Sequence, residues 1–166
     1  MSGFTLVELL MVLAIIGILA AIAIPNLLTA IAKAKQKRSV SDIRTIAMAW
    51  EARATDMNRY NAAGIDGVST PVTLTQLQSA LQPTYSKMLP QHDGWGNNFV
   101  LSTDQTWGSS TPAARYMIVS AGADGVVAAN VVQGPFSNFD CDIIYTNGVF
   151  LAYPEGTQVQ TQNSTQ

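Results

Sequence analysis

From Leu9 to Ile24 the chain runs without a single polar side chain, and ten of these residues are Leu, Ile or Val. Widening the window to Phe4–Leu28 adds only Thr5, Glu8 and Asn26 as polar side chains. About 20 apolar residues suffice to cross a bilayer as a helix. Each Leu, Ile or Val gains roughly 0.3 to 0.6 kcal/mol on insertion, so the run as a whole favours lipid by several kcal/mol. A core helix or a cleaved secretory signal would carry a shorter apolar stretch, whereas this one continues directly into a second helical pattern. There Val40, Ile43, Ile46, Ala47, Trp50, Ala54 and Met57 recur at spacings of three and four, which defines one helical face. Arg44, Glu51, Arg53, Asp56 and Arg59 fall largely elsewhere, so this half is amphipathic and suited to lie on a sheet. The pattern predicts one helix from Phe4 to about Tyr60, roughly 85 Å long, with half of it protruding from the domain. A protruding apolar half is at home only in lipid or in a bundle of its own kind.

After Tyr60 the chain turns to Gly, Pro, Ser and Thr, with a short helix predicted over Thr73–Leu81 from Leu74, Leu77 and Leu81. Strands are predicted at Asn98–Ser102, Tyr116–Ser120, Asp142–Thr146 and Val149–Tyr153. The last two flank Asn147-Gly148, a strong hairpin signal. The fold class is therefore α+β: a long N-terminal helix, membrane-spanning then amphipathic, packed on a small antiparallel sheet, with Trp50 and Trp95 in one core. The predicted divisions are a transmembrane segment over 4–32, the amphipathic half of the same helix over 33–60, a globular part over 61–156 and a flexible, Gln- and Thr-rich tail over 157–166.

Composition narrows the function. A net charge of -2 offers no general attraction to nucleic acid. The one basic cluster, Lys33, Lys35, Lys37 and Arg38, suits anionic lipid headgroups, acidic neighbours or plain solvation. Cys141 is the only cysteine, so no intramolecular disulfide forms and a Cys-based zinc site is argued against. His92 is the only histidine, and no P-loop, Gly-x-Ser-x-Gly, His-Glu-x-x-His or dinucleotide motif is present, which argues against an enzyme.

Two residues stand out in the apolar half. Glu8 costs up to about 2.5 to 3.5 kcal/mol at mid-bilayer, less near the edge, and needs a compensating partner. No Lys or Arg precedes Lys33, so that partner is a chain terminus or another subunit, unless the carboxylate sits among headgroups. Pro25 lacks an amide hydrogen and clashes with the preceding turn, which predicts a kink or loosening over Ala21–Pro25, with Gly17 a second weak point.

Gly3-Phe4-Thr5-Leu6-Val7-Glu8-Leu9-Leu10, followed by the apolar run and Ile24-Pro25-Asn26, resembles the type IV prepilin signature. The resemblance implies cleavage by a prepilin peptidase between Gly3 and Phe4, N-methylation of Phe4, and residues 1–3 as a leader remnant. It implies that Glu8 neutralises the Phe4 ammonium of a neighbouring subunit, enforcing register in an apolar core, and that the helix near Pro25 can melt in a filament. The implied partners are further copies of the chain, the peptidase, an inner-membrane assembly platform and, before assembly, membrane lipid. The implied location is the bacterial inner membrane with the globular part periplasmic, then a filament. The positive-inside rule alone would put Lys33–Arg38 in the cytoplasm, and the resemblance reverses that placement. The family's leader carries Lys or Arg before the glycine, and Met1-Ser2 does not, so a longer basic leader is expected in the native precursor.

In the second half, Asp93-Gly94-Trp95-Gly96-Asn97-Asn98-Phe99 and Ser120-Ala121-Gly122-Ala123-Asp124-Gly125 resemble motifs of the major pseudopilin of type II secretion, departing at Gly94 and Asn98, where that family has Pro. That resemblance implies a calcium site made by Asp124, Asp140 and Asp142, with Ser120 or nearby carbonyls completing the six to eight oxygen ligands calcium takes. Fifteen residues, many apolar, separate Asp124 from Asp140, and a turn-capping role for these aspartates remains the alternative. The expected function is a major pseudopilin-like subunit of a type II secretion filament. The alternatives are a major pilin of a surface pilus serving adhesion, twitching motility or DNA uptake, and a single-pass membrane protein that does not polymerise.

Overall fold

The computed structural model describes residues 4–57, 70–109, 111, 113–130 and 132–159. Gly3, Arg59, Tyr60 and the tail beyond Val159 lie outside the described residues.

The long helix, α1, spans Leu6–Asp56, 51 residues or roughly 77 Å. Thr5 caps it by accepting from the Glu8 amide, and Glu8 answers by accepting from the Thr5 amide, the reciprocal arrangement of a capping box. The helix runs on through Pro25, where the sequence predicts a kink or loosening. Around the missing amide, Asn26 Nδ2 donates to Ile22 O at 3.1 Å and Thr29 Oγ1 to Pro25 O at 3.0 Å, tying the side chains back onto adjacent turns. Of the predicted stripe, Ile43, Ile46, Ala47, Trp50 and Ala54 are buried and Val40 is half-buried, while Met57, the C-cap, is exposed.

The globular part supplies β1 (Thr70–Val72), α2 (Leu74–Leu81), β2 (Val100–Thr103), β3 (Tyr116–Ser120), β4 (Gly134–Asn138), β5 (Ile143–Thr146) and β6 (Val149–Val159). Thr73 caps α2 through a second capping box with Gln76. The strands form one sheet in the order β1-β2-β3-β5-β6-β4. All neighbours pair antiparallel except β4 and β6, which are parallel, so the predicted small antiparallel sheet becomes a six-stranded mixed one. The β5–β6 hairpin turns at Asn147 and Gly148, with φ of 52° and 77°, the left-handed pair that Asn-Gly favours.

Two expectations are corrected. β1 and β4 are absent from the predicted strands, and each carries a proline, Pro71 or Pro135, which weakens a strand signal. Both are the outer strands of the sheet, the place where a missing amide costs no ladder bond. The predicted tail beginning at residue 157 starts too early, because β6 continues to Val159 and Asn138 pairs with Val159. Gln158 explains the extension: it is buried, accepts from Gln36 Nε2 at 3.1 Å, and donates to the carbonyls of Phe136 and Glu155.

Side chains alternate across the sheet with the strand period of two. Leu101, Tyr116, Ile118, Ile143 and Tyr145 join Ile43, Ile46 and Trp50 of α1 in the main core, with Trp95 packed at its margin as the sequence predicts. Val119, Ile144 and Ala152 make a smaller cluster on the other face.

Candidate functional site

From Phe4 to Ile31 every residue is exposed except Ala20, which is half-covered. Phe4 is 76% exposed and sixteen further large apolar side chains follow on every side of the helix. This is the one helix among the described residues long and apolar enough to span a bilayer, and none of its apolar window is covered by the rest of the chain. The exposure goes all round, so no single groove elsewhere on the domain could cover it; it needs a continuous apolar surround.

Glu8 lies near the start of that surface. Its Oε2 accepts from the Thr5 amide at 2.9 Å and from Thr5 Oγ1 at 2.7 Å. Sequence reading assigned Glu8 and Phe4 but overlooked Thr5, although Thr5-x-x-Glu8 has capping-box spacing. The two donors supply dipoles, and the full positive charge that the carboxylate needs in an apolar medium has to come from outside this segment, which holds no Lys or Arg.

The second predicted site is spread over two turns that pack backbone to backbone. A Cβ added to Gly122, at φ 67°, would stand 2.8 Å from Cys141 O and 2.9 Å from Asp140 O, so only glycine allows the approach. The approach brings Asp124 into electrostatic reach of both Asp140 and Asp142. Burial, then the charge of Asp124, pushes the Asp140 carboxyl above the ordinary value. Burial is also the main cause for Asp142, with Asp124 adding to it and the Ala128 amide opposing. Asp124 Oδ1 accepts from the Val126 amide at 3.0 Å and Asp142 Oδ2 from the Ala128 amide at 2.8 Å. Asp142 Oδ1 is buried without a hydrogen-bond partner among the described residues. An orphaned carboxylate oxygen within electrostatic reach of a second carboxylate, Asp124, suits a hard cation. As they stand, however, no three His, Cys, Asp or Glu side chains among the described residues are close enough to hold a metal together.

Ser120 does not join this group. It is fully buried and its hydroxyl donates to Asp93 Oδ2 at 2.8 Å, which turns it towards the core. Asp93 is the centre of a different network. Its Oδ1 accepts from the amides of Trp95 and Asn97, both at 2.9 Å, and the Gly94 amide donates to Ser39 Oγ of α1 at 2.9 Å. Asn97 Nδ2 then donates to Gly122 O at 2.9 Å, connecting α1 to the acidic turns. Ser39 and Asn97 were not singled out from sequence; the polar residue on the buried stripe at Ser39 was the available signal. His92 is exposed and pairs with Asn98 in an isolated bridge.

Residues 1–24 match the family model of the prokaryotic N-terminal methylation motif, and residues 26–134 match that of type II secretion system protein G. The chain is similar to the type II secretion system core protein G of Aeromonas hydrophila, with 37% identity over 75% of this chain and 84% of the relative. The protein of the same name in Escherichia coli is 35% identical over 74% of this chain and 82% of its own length. That in Pseudomonas aeruginosa is 31% identical over 84% and 95%. No solved structure matches the chain at a significant level.

Proposed function

The chain belongs to the type II secretion system protein G family, and from that membership we propose that it is a major pseudopilin: a subunit that leaves the inner membrane by polymerising into a periplasmic filament that serves protein export. The observation that carries this reading is the all-round exposure of Phe4–Ile31 beside a fully packed domain. A helix of this kind is stable in lipid and in a bundle of like helices, so the same surface serves the stored and the assembled subunit. In the bundle, Glu8 meets the Phe4 ammonium of a neighbour after prepilin peptidase has cut at Gly3, and a copy out of register leaves a buried charge unpaired. The inner-membrane assembly platform and the periplasmic placement of the domain belong to this reading. The role is structural, with no catalytic step of its own.

The test is assembly by the full-length chain in cells that carry its peptidase and assembly platform. Filaments are expected from the native chain, and none from Glu8→Ala, which stays in the membrane at normal abundance. A native chain that remains monomeric in the membrane under these conditions, indistinguishable from Glu8→Ala, would return the protein to the class of simple membrane anchors. The methylation-motif match supports a start at an N-methylated Phe4, which mass spectrometry of the filament subunit reads directly.

We also propose that Asp142, with Asp124 and Asp140 drawn towards it, holds calcium. The support is the orphaned Asp142 Oδ1 and the repulsion of the Asp140 and Asp142 carboxylates by Asp124. A bound divalent cation would relieve both and pin the two turns to each other. Millimolar calcium is expected to raise the melting temperature of the native chain and leave Asp142→Asn unmoved; equal curves with calcium and with chelator remove the site.

A further inference from the structure

Two features that the membrane helix does not use lie at opposite ends of the globular part. At the end nearer the apolar helix is the turn Asp124–Val127. Asn97 ties it down through Gly122 O, and a Cβ on the adjoining Gly94 would stand 2.0 Å from Lys35 O, so the turn is level with Lys35–Ser39 of α1. Val126 is 65% exposed and Val127 beside it 42%, an apolar tip on an acidic base. At the far end a cavity of about 220 Å³ opens between α1, α2 and the segment after β2, lined by Arg53, Ser79, Thr103, Gln105, Trp107 and Ser109 among others. The Arg53 guanidinium lies 6.0 Å from the Trp107 ring centroid. Among the described residues the lining holds one cation and no carboxylate.

We propose that the Asp124–Val127 turn of one copy seats in the Arg53–Trp107 cavity of a second copy, joining domains stacked along the filament. The proposal rests on the filament reading above and names a contact within it. Charge complementarity selects the occupant: an acidic turn carrying valines against a cavity lined by the Arg53 guanidinium, the Trp107 indole and hydroxyl and amide side chains. Geometry selects the arrangement. Arg53 lies fourteen residues beyond Ser39 on the same helix, roughly 21 Å further along its axis. Two unlike patches at opposite ends of one body make a heterologous contact, and such contacts propagate instead of closing into a dimer. The contact would also cover valines that otherwise face water in every subunit.

The probe is a cysteine pair in full-length filaments assembled from the membrane. With Cys141→Ser as background, Val127→Cys and Thr106→Cys together are expected to give a ladder of disulfide-linked multimers on mild oxidation, and either cysteine alone no ladder. Charge reversal supplies an independent measurement without cysteines. Arg53→Glu, which sets a carboxylate against Asp124, or Val126→Lys, which sets a cation against Arg53, is expected alone to lower filament yield roughly fivefold, and the two together, which face opposite charges across the contact again, to restore it. Normal filaments with no ladder, or a double reversal no better than the singles, overturn the contact while the filament reading stands. Failure of the native chain to form filaments overturns both.

Discussion

Residues 6–31 and residues 36–54 belong to one helix with one set of backbone hydrogen bonds, yet they are built for different solvents. In the first stretch the apolar side chains point in all directions and stay uncovered; in the second they form a stripe, and Ile43, Ile46, Ala47 and Trp50 are wholly buried against the sheet. Hydrophobicity by itself therefore does not say where a helix ends up. The angular distribution of apolar residues does: a stripe is satisfied by one partner surface, a full cylinder only by lipid or by several copies of itself. The boundary between the two regimes is marked by polar residues on the stripe, Gln36 and Ser39, both buried and both bonded to the globular part.

The largest expected effect separates the two halves by a single substitution in each. Trp50 is fully buried and stacks on Tyr116 with ring centroids 4.7 Å apart. Trp50→Ala should cost about 3 to 5 kcal/mol of domain stability, the usual range for deleting a large core aromatic. Ile16→Ala, in the uncovered half, should leave thermal unfolding of the domain in detergent unchanged and act only on assembly. A fall in melting temperature for Ile16→Ala similar to that for Trp50→Ala would mean that the halves are not independent.

A smaller effect sharpens the boundary. Gly94 donates its amide to Ser39 Oγ, and a Cβ there would stand 2.0 Å from Lys35 O, a backbone atom that cannot swing aside. Gly94→Ala must push the loop off α1 and break the bond, at about 2 to 3 kcal/mol. Hydrogen exchange should show the loss at residues 93–97 and 120–125 together, because Asn97 and Asp93 connect them. Exchange confined to residues 93–97 would mean that the acidic turns are not coupled to the helix.

Gly94 also shows how much was legible beforehand. The α+β class, the long helix, α2, strand β3 to its ends and the Asn147-Gly148 turn followed from periodicity and turn chemistry, because each is a local signal. The edge strands β1 and β4 were missed since proline masks a strand that needs only one neighbour. The reach of β6 was missed since Gln158 reads as tail until Gln36, 122 positions away in sequence, is seen to bond it. Glu8 is legible as an anomaly, a lone carboxylate in an apolar run, whereas its capping partner Thr5 is legible only from the Thr-x-x-Glu spacing. Asp124, Asp140 and Asp142 were grouped by resemblance. Their two turns do pack together, whereas Ser120 is claimed by Asp93 through a contact that no spacing rule encodes. Gly94 was visible only as a departure from the family's proline, and the structure gives it a reason, since the loop lies closer to α1 than any residue with a Cβ would permit.

The smallest effect concerns the far end of the packed half, where Tyr116 donates to Glu51 Oε1 of α1. Burial first, and then the neighbouring Glu51 carboxylate, raises the Tyr116 phenol far above its ordinary value of 10.0. The native chain thus keeps this proton where the unfolded chain releases it. The stability associated with Tyr116 is fully present below pH 10 and is lost as the pH rises beyond that value. Tyr116→Phe deletes both the bond and the titration. It should cost about 1 kcal/mol at neutral pH, with Trp50 still stacked on the ring, and it should flatten the fall in stability between neutral and strongly alkaline solution. The uncovered half of α1 has no part in this linkage, so Ile16→Ala should follow the native curve across the same range. Native and Tyr116→Phe chains with parallel stability curves above pH 10 would show that the phenol titrates normally, and that the packed half is open to water at the end where it meets β3.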